Sequence, residues 1–326
     1  MRESASIEEN DPGSLPDGTA GAIRVRGLTR SFGSTVALSP LDLDIRAGTV
    51  TGLLGPNGSG KSTFMRILIG LVPRGGGRAW VDGVELTGDG IAIRKRCTFA
   101  PGELSFYGHL RGRDQLRWLV DGHGPEARTR AERIASELGL PLRARVRSYS
   151  HGMKRQLLFA SAMGPRVPVR ILDEITEGLD PAKRGTVLEL MGEDAATGTT
   201  ILLSSHHLAE VQRACDHMVF LRAGLKLSEE NAEDVRAASR RTVHLDFNSG
   251  EDATGFSQAA NKLLGHGVAK VQRDAHKLTL HLTTDDPRAV LVQLFQPGFT
   301  AQPVRMDYGE LSLEHLYRDL YGEDAC

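Results

Sequence analysis

Apolar and polar residues alternate at Ile23 to Arg26 and at Leu41 to Ile45, which predicts two half-buried strands with Phe32-Gly33-Ser34 as a turn between them. Thr49-Val-Thr-Gly-Leu-Leu is a β-branched and apolar run that predicts another strand, and Thr63 to Leu71 predicts the helix after it. A turn at Arg74-Gly75-Gly76-Gly77-Arg78 leads into a short strand over Ala79 to Gly83. From Glu103 to Arg147 the apolar spacing becomes helical, as at Ile134 and Leu138, and Leu157 to Met163 is an apolar helix. Val169 to Leu172 and Thr199 to Ser204 are short, mostly apolar strands of the kind found inside parallel sheets. Strands separated by helical segments predict an α/β fold with a mostly parallel core sheet, a β-rich start and a helical insertion.

A second alternating pattern begins at Thr242. Strands are predicted at Thr242 to Phe247, Val268 to Arg273, Lys277 to Thr283 and Ala301 to Met306, with helices at Ser257 to Leu264 and Pro287 to Phe295. The resulting division is a disordered tail over 1–22, a main domain over 23–227 with a helical subdomain at about 103–165, a charged linker over 228–241, and a small α+β domain over 242–326.

Composition narrows the function without naming it. Forty basic and 41 acidic residues leave a formal net charge of -1, so the balance as a whole calls for neither nucleic acid nor an anionic surface as partner. The clusters Arg143-Ala-Arg145-Val-Arg147 and Arg240-Arg241 read as solvated faces. No apolar run is long enough to span a bilayer, and 1–22 lacks the apolar core of a signal peptide. Cys97, Cys215 and Cys326 are widely spaced, which suits free thiols in a reducing compartment, with the cytoplasm as default.

The chemistry begins at residues 55 to 63, Gly-Pro-Asn-Gly-Ser-Gly-Lys-Ser-Thr, which fit a phosphate loop between a strand and a helix. Gly55, Gly58 and Gly60 allow successive backbone N–H groups to turn inward around a phosphate. Lys61 can then reach the β- and γ-phosphates of a nucleoside triphosphate, and the Ser62 hydroxyl can face Mg²⁺. Pro56, Asn57, Ser59 and Thr63 complete the loop. At the end of an apolar strand stand Asp173 and Glu174. In a phosphate-loop enzyme one carboxylate there supports the metal and the next holds or deprotonates water. Tyr149-Ser150-His151-Gly152 opens a helix, where Ser150 is a good N-cap and the Ser-x-Gly turn is a ready anion site for a phosphate presented by another subunit.

These segments, with Ile-Leu-Asp-Glu-Ile-Thr-Glu-Gly-Leu-Asp-Pro and Leu-Leu-Ser-Ser-His-His-Leu-Ala-Glu-Val, occur in an order and spacing that resemble the ATP-binding subunit of an ABC transporter over about residues 23–226. The resemblance implies a phosphate-loop NTPase fold that uses ATP and Mg²⁺. It assigns Phe32 to adenine stacking, Gly55 to Thr63 to the phosphates, Asp173 to the metal and Glu174 to the general base. Leu179-Asp180 would form the loop between subunits, and His206 would contact the γ-phosphate. Two subunits, here a homodimer, would close head to tail on two ATP molecules, with Ser150 and Gly152 of each meeting the other's nucleotide. An integral-membrane permease is the implied partner, with no role for nucleic acid. The C-terminal pattern and the segment Leu311 to Gly322 resemble bacterial drug and polyketide exporter subunits, implying export of a small hydrophobic compound by an ATPase docked at the inner face of the plasma membrane. A slow or inactive nucleotide switch and a soluble ATPase unconnected to transport are the alternatives.

Three residues depart from the family pattern. Gly102 stands where a glutamine usually touches the metal, with Glu103 and Gln115 as candidate substitutes; His151 replaces the first glycine of the Ser-Gly-Gly turn; Ile175 stands where proline is common.

Overall fold

Strands β1 (Ile23–Phe32) and β2 (Thr35–Ile45) form a long hairpin, well beyond the two short strands that alternation predicts. The reason is visible in the register, which shifts three times between Val25 and Ser31. Bulges of this kind interrupt strict alternation while the ladder continues. Phe32 is therefore the last residue of β1 and not part of the turn. The computed structural model describes residues 21–205, 211, 213–231, 241–263, 268–283, 288–293 and 301–308. The described residues group into two compact units, one drawn from 1–51, 58–204 and 221–226, the other from 52–57, 205–220 and 227–326.

After β3 (Val50–Leu54) comes α1 (Lys61–Leu68), which starts two residues earlier than predicted, directly on the lysine. Strands β4 (Gly76–Val81) and β5 (Val84–Glu85) join the first hairpin in an antiparallel sheet of order β2-β1-β4-β5. A short helix α2 (Ile91–Arg94) precedes β6 (Cys97–Ala100). The predicted insertion contains α3 (Gly112–Val120) and α4 (Gly124–Glu137), but 103–111 is non-helical. Helix α5 (His151–Met163) follows, then β7 (Val169–Asp173), α6 (Pro181–Ala196) and β8 (Thr200–Ser205).

Strands β9 (His217–Arg222) and β10 (Leu225–Asn231) complete a six-stranded sheet of order β10-β9-β3-β8-β7-β6. Its β6–β7 and β7–β8 pairs are parallel, and β3, β7 and β8 are buried along their whole length, as their continuous apolar text requires. Strand β10 runs to Asn231 and so extends into the segment read as a linker.

The C-terminal part has β11 (Thr242–Asp246), α7 (Gly250–Leu263), β12 (Val268–Asp274), β13 (Lys277–Leu282), α8 (Arg288–Gln293) and β14 (Arg305–Tyr308). The strands form an antiparallel sheet of order β12-β13-β11-β14. Val243, Leu245, Leu278 and Leu280 pack with Phe247, Ala253, Phe256 and Ala260 in their own core. Among the described residues, no helix is long and apolar enough to cross a membrane. The segment from Leu311 onward lies outside the described residues.

Candidate functional site

The phosphate loop is held open by backbone geometry. Gly60 has φ 103°, and a Cβ there would stand 2.5 Å from the Ala37 carbonyl oxygen and 2.9 Å from Leu38 Cδ2, so only glycine fits. Gly60 is the residue preceding α1, whose first-turn N–H groups have no helical acceptor and favour an anion. Pro56, Asn57 and Gly58 are exposed, Gly55 and Ser59 are buried, and Ser62 and Thr63 are half-buried on the first turn. Lys61 is buried. Burial pushes its pKa down, opposed by the negative charges of Glu174 and Asp173. The lysine and the two carboxylates, separated widely in sequence, thus act on one another in the fold.

Asp173 ends β7 opposite Ser204 in the parallel register of β7 and β8. The Ser204 hydroxyl donates to Asp173 Oδ1 at 2.6 Å and accepts from the Glu174 N–H at 2.9 Å. The second carboxylate oxygen, Asp173 Oδ2, is buried and has no hydrogen-bond partner among the described residues. Buried polar atoms are nearly always paired, and an orphaned anionic oxygen beside a phosphate loop fits a hard cation such as Mg²⁺. Glu174 has φ 49°, a left-handed conformation that costs a non-glycine residue about 1–3 kcal/mol and marks a turn shaped for function. Its backbone is held there by the bond to Ser204.

Gly102 lies against this oxygen: a Cβ on it would be 3.3 Å from Asp173 Oδ2. Neither candidate substitute for the missing glutamine reaches the place. Glu103 is exposed and pairs with Arg66 at 3.0 Å, while Gln115 is buried on α3 with its Oε1 accepting the Tyr107 N–H at 2.9 Å.

At the start of α5, Ser150 is the N-cap, its hydroxyl accepting the Met153 N–H at 3.2 Å. Gly152 approaches the loop after β7 so closely that a Cβ would stand 2.8 Å from the Gly178 carbonyl oxygen. His151 is accommodated by the same loop. Gly178 has φ 71° and no Cβ, and a Cβ there would lie 2.9 Å from His151 Cδ2. Asp180 caps α6, accepting the Lys183 N–H at 2.9 Å. Phe32 is about half exposed, with the Arg30 guanidinium 4.5 Å from its ring centroid on one face. His206 lies outside the described residues.

Two residues of the site escape sequence reasoning. Ser204 fixes both carboxylate residues, and the signal available for it was a hydroxyl at a fully buried strand position. Arg155, also buried, pairs with Glu177 at 2.9 Å and donates to the Pro101 carbonyl at 3.4 Å, joining the Gly102 segment to the loop that follows the carboxylates. Nothing in its neighbourhood along the chain distinguishes it from a surface arginine on a helix.

A family model described as "ABC transporter" matches residues 38–177. The daunorubicin/doxorubicin resistance ATP-binding protein of Streptomyces peucetius is 30% identical over 311 residues, covering 93% of this chain and 93% of that protein. The Nod factor export ATP-binding protein I of Rhizobium meliloti is 35% identical over 215 residues, 64% of each. Among solved structures, an ATP-binding subunit of an ABC transporter superposes with a TM-score of 0.61 at 29% identity, covering 66% of this chain and 92% of that one.

Proposed function

This chain belongs to the ABC transporter family as an ATP-binding, ATP-hydrolysing subunit, and we propose that it powers export of a small hydrophobic compound through a separate membrane permease. The export reading draws on relatives named for drug resistance and for Nod factor export, one of them similar along nearly the whole chain. The hydrolytic role rests on one observation, the buried Asp173 carboxylate with one oxygen fixed by Ser204 and the other unpaired.

Lys61 and the first turn of α1 hold the phosphates, with Phe32 against the base and the loop from Gly55 to Thr63 around the anion. Ser62 and Asp173 hold Mg²⁺, which supplies charge neutralisation at the phosphate oxygens when bound. Glu174 accepts a proton from water at its carboxylate, and His206 contacts the γ-phosphate. Ser150 and Gly152 meet the nucleotide of a second copy, and Asp180 lines that junction from the α6 cap. ATP then works by differential affinity, favouring the closed pair until hydrolysis releases it. The region 242–326 serves as an accessory domain to the ATPase of 23–227.

Hydrolysis by the purified chain, measured across protein concentration, tests the clamp. Turnover should rise more than linearly and vanish in Glu174→Gln and Lys61→Ala, with Glu174→Gln still binding ATP. Strictly linear turnover by a chain that sediments as a monomer across the same range would exclude catalysis by a dimer. Export is tested by coexpression with a candidate permease, where cells should accumulate less of a hydrophobic drug and Glu174→Gln should abolish that loss. A slower nucleotide switch is the second reading, favoured by Gly102 against the metal-facing oxygen of Asp173. ATP binding without hydrolysis, even with the permease present, would select it.

A further inference from the structure

The segment before α5 is not an ordinary solvated charge run. It runs beside the residues entering α3 as an irregular ribbon built on one antiparallel bridge: Val146 N–H donates to the Leu110 carbonyl, Gly112 N–H to that of Ala144 and Arg113 N–H to that of Leu142. Arg111 stands opposite Arg145. Leu142 and Val146 are buried while Arg143, Arg145 and Arg147 are exposed, so this segment, a turn that ends in a 3-10 helix over Val146–Ser148, presents all three arginines to solvent.

Arg111, Arg117, Arg143, Arg145 and Arg147 make no ion pair among the described residues, whereas Arg113, between them, reaches Glu132 at 3.6 Å. Elsewhere in the same unit arginines are commonly paired, as at Arg24, Arg66, Arg78, Arg128 and Arg155. Across 104–118 and 140–149 Asp114 is the one acidic residue beside six arginines. A chain whose net charge is -1 therefore concentrates unpaired positive charge on one ribbon.

Exposed aromatics adjoin it. Tyr107 precedes Gly108, whose carbonyl accepts the Arg147 N–H. Its ring meets Trp118 of α3 edge to face, 5.2 Å between centroids, and both are more than half exposed. Tyrosine and tryptophan beside arginines suit a surface with a charged outer layer and an apolar interior. Rings locked edge to face against one another are less suited to stacking on splayed bases.

We propose that this face, with Arg111, Arg143, Arg145 and Arg147 as its cations and Tyr107 and Trp118 as its aromatic edge, binds the anionic headgroups of a phospholipid bilayer. The contact is independent of the nucleotide site and places the chain on lipid directly, in addition to any permease.

The test is cosedimentation of the full chain with vesicles of phosphatidylcholine containing phosphatidylglycerol and with phosphatidylcholine alone. The chain has two tryptophans, so Trp80→Phe leaves Trp118 as the reporter. Binding should require the anionic lipid, weaken as salt rises and shift Trp118 emission to the blue. Arg111→Gln, Arg143→Gln and Arg145→Gln should each lower partitioning about fivefold, and the triple variant should abolish it while ATP hydrolysis remains. Equal binding to both vesicle types, or wild-type partitioning by the triple variant, would overturn the proposal. So would failure to bind anionic vesicles together with capture by an acidic peptide or nucleic acid.

Discussion

Asp173 and Asp194 are both buried carboxylates of the same compact unit, yet their surroundings are opposite. Asp194 accepts from Arg170 Nε at 2.5 Å and from Arg130 as well. Arg170, itself fully buried, sends its other N–H groups to the carbonyls of Ala162 and Pro165 and to the Thr98 hydroxyl. Asp173 has one oxygen fixed and one without a partner among the described residues. A charge that is completely answered ties β7, α4 and α6 together, and a charge left half answered is available for chemistry. Burial alone distinguishes nothing; the account of each lone pair does.

The sharpest way to break this comparison is Asp173→Asn. It should reduce ATP turnover on the order of 10³-fold, since the carboxylate proposed to hold Mg²⁺ loses its charge, while stability changes by no more than about 1 kcal/mol. The orphaned oxygen contributes little to folding, so exchange for an amide removes chemistry without removing a satisfied bond. Turnover and thermal melting on one preparation separate the two effects. A large loss of stability would mean that Asp173 has structural partners after all.

Asp194→Asn should do the reverse. Removing the charge leaves Arg170 buried and uncompensated, a loss of about 3–5 kcal/mol that should appear as a lower melting temperature. At temperatures where the variant stays folded, its turnover should remain near that of the parent. Loss of turnover in the folded variant would join the cluster to the site and end the contrast.

Sequence reasoning reached one of these aspartates and not the other, for a physical reason. The phosphate loop and the Asp173-Glu174 pair need residue types at contiguous positions, because a backbone turn must wrap an anion and a strand end must present two carboxylates. Asp194 meets its partners across 24 and 64 positions, and at such separations each residue reads as an ordinary surface charge. The same limit hid Arg155 and left Gln115 as a candidate for a site from which its bond to Tyr107 excludes it. The ribbon arginines were visible as a cluster, but whether anything neutralised them was not. Element type fared better than element length, since bulges in β1 and β2 broke the alternation on which the prediction depended.

Acid sharpens the comparison more gently. Burial favours the protonated form of Asp194, but the hydrogen bonds and charges of Arg170 and Arg130 prevail and hold its carboxyl below the usual range. A folded pKa lower than the unfolded one stabilises the fold above the ordinary carboxylate value of about 3.9, and that contribution is lost as pH falls through the depressed folded value. The stability gap between parent and Asp194→Asn should therefore be full at neutral pH and close in acid, as followed by denaturant melts across that range. A gap that does not change with pH would show that the aspartate contributes through packing and not through charge.

Ser204→Ala should have the smallest effect and carries the most information about how Asp173 is held. The hydroxyl donates to Asp173 Oδ1 and accepts from the Glu174 N–H, so it orients the Asp173 carboxylate and the strained backbone of the adjacent residue together. Deleting it removes about 1–2 kcal/mol of charge-assisted hydrogen bonding and lets the carboxylate rotate. Turnover should fall about tenfold with ATP affinity nearly unchanged, because the proposed hold on the phosphates comes from Lys61 and the turn of α1 and not from the carboxylate that Ser204 orients. Ser204→Thr keeps the hydroxyl and should recover most of the loss wherever the extra methyl can be accommodated. If alanine at this position leaves turnover intact, the free oxygen of Asp173 is aimed by the strand end itself, and the division between a fixed and an available lone pair comes from the backbone of β7 alone.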